Sequence, residues 1–202
     1  MDIPAWVFIL IPFVVAYFWY VSIVGKRNKA LEALSGIDVQ LKQRADLIPN
    51  ILTIAKKFMQ HERDLLEKIT ALRAKVIEDY DKSDRDAVVE HLEASGELAG
   101  KMGQLMVNVE NYPDLKSDQT MLQAQASYNE VEAKISAARR FYNSSVTELN
   151  NAVQIFPGNI IAGWAKVSEM PFYEAEEAAR APVDAGDFLD CLLYTSPSPR
   201  DS

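Results

Sequence analysis

Apolar and small residues recur at three- and four-residue steps along one stretch of this chain: Leu34, Ile37, Leu41, Ala45, Ile48, Leu52, Ala55, Met59, Leu66, Ile69 and Val76. With 3.6 residues per helical turn this spacing gathers all of them on one face, which only another apolar face can cover. The stripe persists for about 40 residues and predicts a rod about 60 Å long at ~1.5 Å per residue. Pro49 is its one interruption. Asp46 is suited to accept from the amides of the next turn as an N-cap, which would put Pro49 in a first turn where its missing N–H is tolerated. A kink or restart is therefore expected at Asp46–Asn50.

Two more stripes follow. Asp79–Asp86, reading DYDKSDRD, is dense in charge and turn formers and is expected to reverse the chain, with Ser83 and Asp86 resembling a capping box. The second stripe runs Val88, Leu92, Ser95, Ala99, Met102, Met106 and Val109. Gly96, Gly100 and Gly103 fall near one face of it, each unfavourable by up to ~1 kcal/mol relative to Ala. Either close helix approach or plain marginal stability would account for them. Tyr112–Lys116 makes a corner at Pro113. The third stripe, Leu122, Ile135, Ala138, Tyr142, Val146, Leu149, Val153 and Phe156, stops at Phe156-Pro157-Gly158. A short helical turn over Asn159–Ala165 and an extended segment Met170–Tyr173 folding back on the bundle are expected after it. No strand-like alternation of any length occurs.

Ahead of the stripes, Ile3–Val24 contains no Asp, Glu, Lys or Arg, and thirteen of its residues are Leu, Ile, Val or Phe. At ~1.5 Å per residue the run matches the ~30 Å hydrocarbon core, and its composition favours insertion by on the order of 5 kcal/mol. Trp6, Tyr17, Trp19 and Tyr20 supply interfacial rings; Pro4 suits a first turn, and Pro12 is expected to bend the helix. There is no basic region before the run and no small-residue cleavage site after it, so a retained anchor is expected rather than a cleaved signal. Lys26, Arg27 and Lys29 follow at once, which places the short amino terminus outside and the rest in the cytoplasm of a single-pass protein.

The fold class is thus all-α, one N-terminal transmembrane helix followed by an antiparallel bundle of three to four long helices. Residues 1–25 form the anchor, 26–183 the bundle and 184–202 a tail without helical period. The end of that tail, CLLYTSPSPRDS, resembles a non-native extension of an open reading frame.

Net charge and composition narrow the function. A formal charge of −8 leaves no basic stripe, which excludes nucleic acid as a partner. The single Cys191 makes no internal disulfide and no Cys-based metal site. His61-Glu62 begins like a zinc-protease motif, but Leu65 stands where the second His belongs. Phe58 and Val88 occupy the positions three before His61 and His91, where a di-iron bundle would need Glu. No phosphate loop, nucleophile elbow or dinucleotide fingerprint is present. The chain is expected not to be an enzyme and to take no cofactor or metal.

One block stands apart. Ile37–Leu52, reading IDVQLKQRADLIPNIL, interleaves polar residues with a helical stripe. Asp38, Gln40, Arg44, Asp46, Pro49 and Asn50 are the candidate partner-binding or helix-pairing residues, with Asp38 and Arg44 expected to meet charges on neighbouring helices.

Ile37–Arg44 with Asp46–Asn50 resembles the most recognisable block of the LemA family. His61-Glu62, Tyr112–Lys116, Ala138-Arg139 with Tyr142-Asn143, Phe156–Asn159 and Phe172–Ala175 follow in the family's order, so the resemblance covers about Val24 to Val183. It implies a bacterial membrane protein with one N-terminal transmembrane helix and a cytoplasmic long-helix bundle. It implies no reaction. One magnetosome-associated branch is tied to membrane organelle formation, which points towards scaffolding. Ser35-Gly36 departs from relatives that carry an aromatic or larger polar residue before the Ile-Asp pair, and Gly36 is expected to loosen the joint between anchor and rod. The leading functional expectation is a membrane-anchored scaffold acting through self-association or protein partners. A sensory or regulatory module is the second, and a hydrolase a remote third.

Overall fold

The computed structural model describes the backbone of residues 5–173 and the side chains of Leu10 and residues 13–173. Six α-helices account for nearly all of it: α1 Ala5–Phe58, α2 Arg63–Ile77, α3 Arg85–Val109, α4 Pro113–Lys116, α5 Gln119–Gln154 and α6 Gly158–Ala165. Among the described residues there is no strand. The all-α class expected from the stripes is therefore observed.

Helix α1 has 54 residues, about 80 Å at ~1.5 Å each. From about Ile23 onward it pairs with α5. Lys29–Glu148 and Arg44–Glu132 form ion pairs 15 residues apart on α1 and 16 apart on α5, so the two helices run antiparallel and in step. Helix α2 doubles back along α1, α3 turns again to run beside α2, and α4 is a single turn that redirects the chain into α5. The main core lies between α1, α2, α3 and α5, and includes Ile37, Leu41, Ile48, Ile69, Leu98, Met102, Leu105, Val131, Ile135 and Tyr142. A second core, Ile23, Ala30, Leu149, Ile161, Ala162 and Val167, binds α6 and the end of α5 to the first half of α1.

All eleven residues of the first stripe are buried, but they do not form one rod. The chain reverses at Met59 (φ −107°, ψ 61°) and a 3-10 turn, Gln60–Glu62. Met59 is itself fully buried, and Lys56 and Lys57 occupy the last turn of α1, where cations suit the helix dipole. No Gly or Pro marks the reversal. Because α1 and α2 present their stripes to the same core, the apolar period passes through the turn as though the helix continued.

The restart expected at Asp46–Asn50 is absent. Helix α1 runs as one continuous helix through Pro49 and through Gly36. The cap of α3 is not Ser83 but Asp84, whose carboxylate accepts from the Asp86 amide at 3.0 Å. Asp118 caps α5 by accepting from Met121 N at 2.9 Å. In the third stripe, Leu122 and Phe156 prove exposed. A Cβ added at Gly96 or Gly103 would meet nothing within 4 Å, so close helix approach does not explain those glycines.

The expected membrane crossing over residues 3–24 is not established by the structure. Residues 1–4 and the side chains of 5–9, 11 and 12 lie outside the described residues. Among the described residues no helix is long and apolar enough to cross a membrane. The stretch from Phe13 to Val24 alone rises only about 18 Å, short of a ~30 Å core. The expected tail over 184–202 also lies outside the described residues.

Candidate functional site

The polar residues of Ile37–Leu52 part company in three directions. Asp38, half-buried, faces the α2–α3 connection. Its Oδ1 accepts from the Tyr80 hydroxyl at 2.9 Å, and its Oδ2 lies 2.6 Å from Lys82 Nζ. His91 of α3 stacks on Tyr80, with ring centroids 4.1 Å apart, and presents Nε2 to Asp38 Oδ1 at 3.6 Å. That separation exceeds hydrogen-bond length and becomes an ion pair only when the imidazole is protonated. Burial acts to raise the Asp38 carboxyl, but His91, Lys82 and Tyr80 together outweigh it and hold the group below the usual Asp value. Burial and the neighbouring Asp38 charge raise the Tyr80 phenol, and Tyr142 in the same way, so both stay neutral. Lys82 also donates to Ser35 Oγ at 3.1 Å, mooring the charged DYDKSDRD turn against α1.

Arg44 is 1% exposed. Its guanidinium donates to Ser95 O and Ser95 Oγ of α3 at 2.7 and 2.8 Å and to Glu132 Oε1 of α5 at 3.3 Å. Arginine is charged at any relevant pH, so a buried one persists only with such partners. Gln40 faces the α1–α5 groove beside Lys134 and Phe141. Gln40 Oε1, Arg44 Nε and His91 Nε2 are buried without a hydrogen-bond partner among the described residues.

Asp46, Pro49 and Asn50 are exposed. Pro49 acts through the backbone: lacking an N–H, it leaves the Ala45 carbonyl one helical turn earlier without its usual donor. Arg73 of α2 supplies one, with Nε donating to Ala45 O at 2.6 Å. One segment of α1 is thereby tied to α2, to the α2–α3 turn, to α3 and to α5. A carboxylate, an imidazole and a phenol meet here, yet each polar contact joins two elements of the chain.

Asp38, Gln40 and Arg44 were legible in the sequence as pairing residues; their partners Tyr80, Lys82, His91, Ser95 and Glu132, and Arg73 beside Pro49, were not. The one available signal for Arg73 was the proline itself, since a mid-helix Pro frees a carbonyl that needs a donor.

A second polar device holds the chain after α6. Tyr142 Oη donates to Pro171 O at 2.7 Å. Asn143 bonds both the carbonyl and the amide of Tyr173 at 2.9 Å, and Asn150 both those of Met170 at 3.0 Å. Seven helical residues separate the two asparagines, about 10.5 Å, which matches the ~10 Å spanned by three extended residues. The strap 167–173 thus lies along α5, as expected for Met170–Tyr173. Tyr142-Asn143 belonged to the recognised pattern; Asn150 did not.

These features fall in the part of the chain that similarity to known proteins covers. The model of the LemA family matches residues 33–185. Protein LemA of Metamycoplasma hominis is 26% identical over 185 residues, covering 89% of this chain and 82% of that protein. Magnetosome protein MamQ 2 of Paramagnetospirillum magneticum is 27% identical over 102 residues, half of this chain but only 38% of that protein. MamQ of Magnetospirillum gryphiswaldense is 26% identical over a stretch of the same length. With the family's model spanning three quarters of its length, including the α1 seam and the residues that clamp the strap, the chain belongs to the LemA family.

Proposed function

We propose that this protein is a membrane-tethered scaffold: a helix anchored in the bacterial inner membrane, amino terminus outside, carrying a cytoplasmic bundle that organises membrane or envelope complexes. The observation that carries the reading is the uncovered first part of α1. Leu10, Phe13, Val14, Val15, Tyr17, Phe18, Tyr20 and Val21 are all exposed large apolar side chains, on a helix that continues without a break into the bundle. A lipid bilayer around residues 3–24 would cover them, and Lys26, Arg27 and Lys29 would sit at its cytoplasmic face. Relatives named as magnetosome proteins agree with a role at a membrane structure. The reading assigns no reaction and no cofactor. Crosslinking in living cells, followed by gentle detergent extraction and native sizing, tests it. A defined self-assembly or partner complex is expected; a strictly monomeric, partnerless protein would contradict the scaffold.

A second reading, a sensory or regulatory module, draws on a groove of about 530 Å³ between α3 and the strap, whose lining includes Val89, Leu92, Met170, Phe172, Arg85 and Glu93. Ligand-dependent thermal stabilisation of the full chain in cellular extracts would favour it.

A further inference from the structure

The corner between α5 and α6 exposes apolar surface as openly as the amino-terminal helix does. Ile155, Phe156, Ile160 and Trp164 are 59%, 74%, 53% and 84% exposed. From Val153 to Ala165 the chain carries no ionisable side chain. The other face of α6 is buried: Ile161 and Ala162 pack with Ile23, flanked by Ala16 and Trp19.

These contacts fix the position of α6 along α1. It lies beside residues 16–23, inside the run expected to cross the bilayer. From Ala16 to Val24 is about 12 Å of helix, so an element packed there shares the depth of the last third of a ~30 Å core. Below it the surface turns polar. Arg27, Lys82, Arg85 and Lys166 line one small groove together with Glu169, Lys82 being paired with Asp38, and Lys29 pairs with Glu148 in solvent. Apolar rings above a groove that holds four cations and one carboxylate, on a chain whose formal charge is −8, suit the headgroup boundary of an anionic leaflet.

We infer that α6 and the Ile155–Phe156 corner form an interfacial foot, inserted into the cytoplasmic leaflet beside the anchor, with anionic lipid as its partner. The inference rests on the membrane-tether reading and extends it. One helix through a bilayer leaves a bundle free to swivel and tilt; a second contact at the same depth fixes the bundle's rotation about α1 and presents one face of it to the cytoplasm. Gly158 allows the foot to close. A Cβ there would fall on Ala152 O and come into van der Waals contact with Ile23 Cδ1, so the turn is pressed directly onto α5 and α1.

The test uses the full chain in vesicles of phosphatidylcholine with a quarter phosphatidylglycerol, with Trp6→Phe and Trp19→Phe leaving Trp164 as the emitter. The expected result is that the protein floats with the vesicles, Trp164 emission shifts to the blue, and lipids brominated near the headgroup quench it strongly. Should Trp19→Phe disturb the fold, Ile160→Cys in a Cys191→Ser background, carrying a polarity-sensitive dye, gives the same readout with all three tryptophans retained. A protein that floats while Trp164 or the dye stays water-exposed and open to aqueous acrylamide overturns the foot but leaves the tether. A blue shift without quenching by brominated lipid overturns it in favour of a protein contact. Failure to float overturns tether and foot together.

Discussion

Arg44 shows how a single side chain sets helix pairing. Apolar stripes slide past one another at little cost, whereas a guanidinium that reaches Ser95 and Glu132 from a site closed to water has one acceptable register. Arg44→Ala is expected to destabilise the bundle by about 3 kcal/mol in denaturant titration, since Ser95 loses its partner and a cavity opens. Pro49 and Arg73 form a second such unit. Arg73→Ala should cost about 1–2 kcal/mol, because it leaves the Ala45 carbonyl without a donor. In a Pro49→Ala background the restored N–H bonds Ala45, and the same change should cost clearly less; a double-mutant cycle measures the coupling. Asp38 carries a pH dependence. Its folded value lies below the unfolded one near 3.8, so its contribution is present above that value and is lost as pH falls through the lower folded value. The melting-temperature gap between wild type and Asp38→Asn should therefore narrow as the pH drops below about 4.

At the scale of elements, the glycines separate into two kinds. Gly103 is exposed within α3 and a Cβ there meets nothing, so Gly103→Ala should stabilise by up to ~1 kcal/mol. Gly158→Ala should destabilise, because its Cβ would fall on the Ala152 carbonyl; thermal melts of the two variants are expected to move in opposite directions. Helices were legible in the sequence because their stripes are periodic, and every residue of the first stripe is buried. The turn at Met59 was not legible, since it is held by burial of Met59 and by α2 packing on α1 rather than by any local signal. Pro49 misled in the opposite direction: locally it argues for a helix end, but Arg73 repairs the carbonyl it orphans and the helix continues. The seam was half legible. A polar residue on an apolar face announces that a partner exists, as with Asp38 and Arg44, but which residue comes to meet it depends on how α2, α3 and α5 are arranged.

At the scale of the whole molecule, α1 is the feature that unites the two halves of the reading. The same helix that exposes Phe13, Phe18 and Tyr20 also holds Asp38 and Arg44 against the other helices, with no interruption of the helix between them. On the proposed reading, tether and foot together would transmit the membrane's orientation to the bundle, and the polar contacts of the α1 seam would fix the faces it offers to a second copy or a partner. Everything in that picture depends on the amino-terminal segment residing in lipid. The most direct measurement is alkaline carbonate extraction of bacterial membranes bearing either the full chain or a version lacking residues 1–24. The full chain is expected to stay in the membrane pellet and the shortened one to be released. Release of the full chain under the same treatment would contradict the tether.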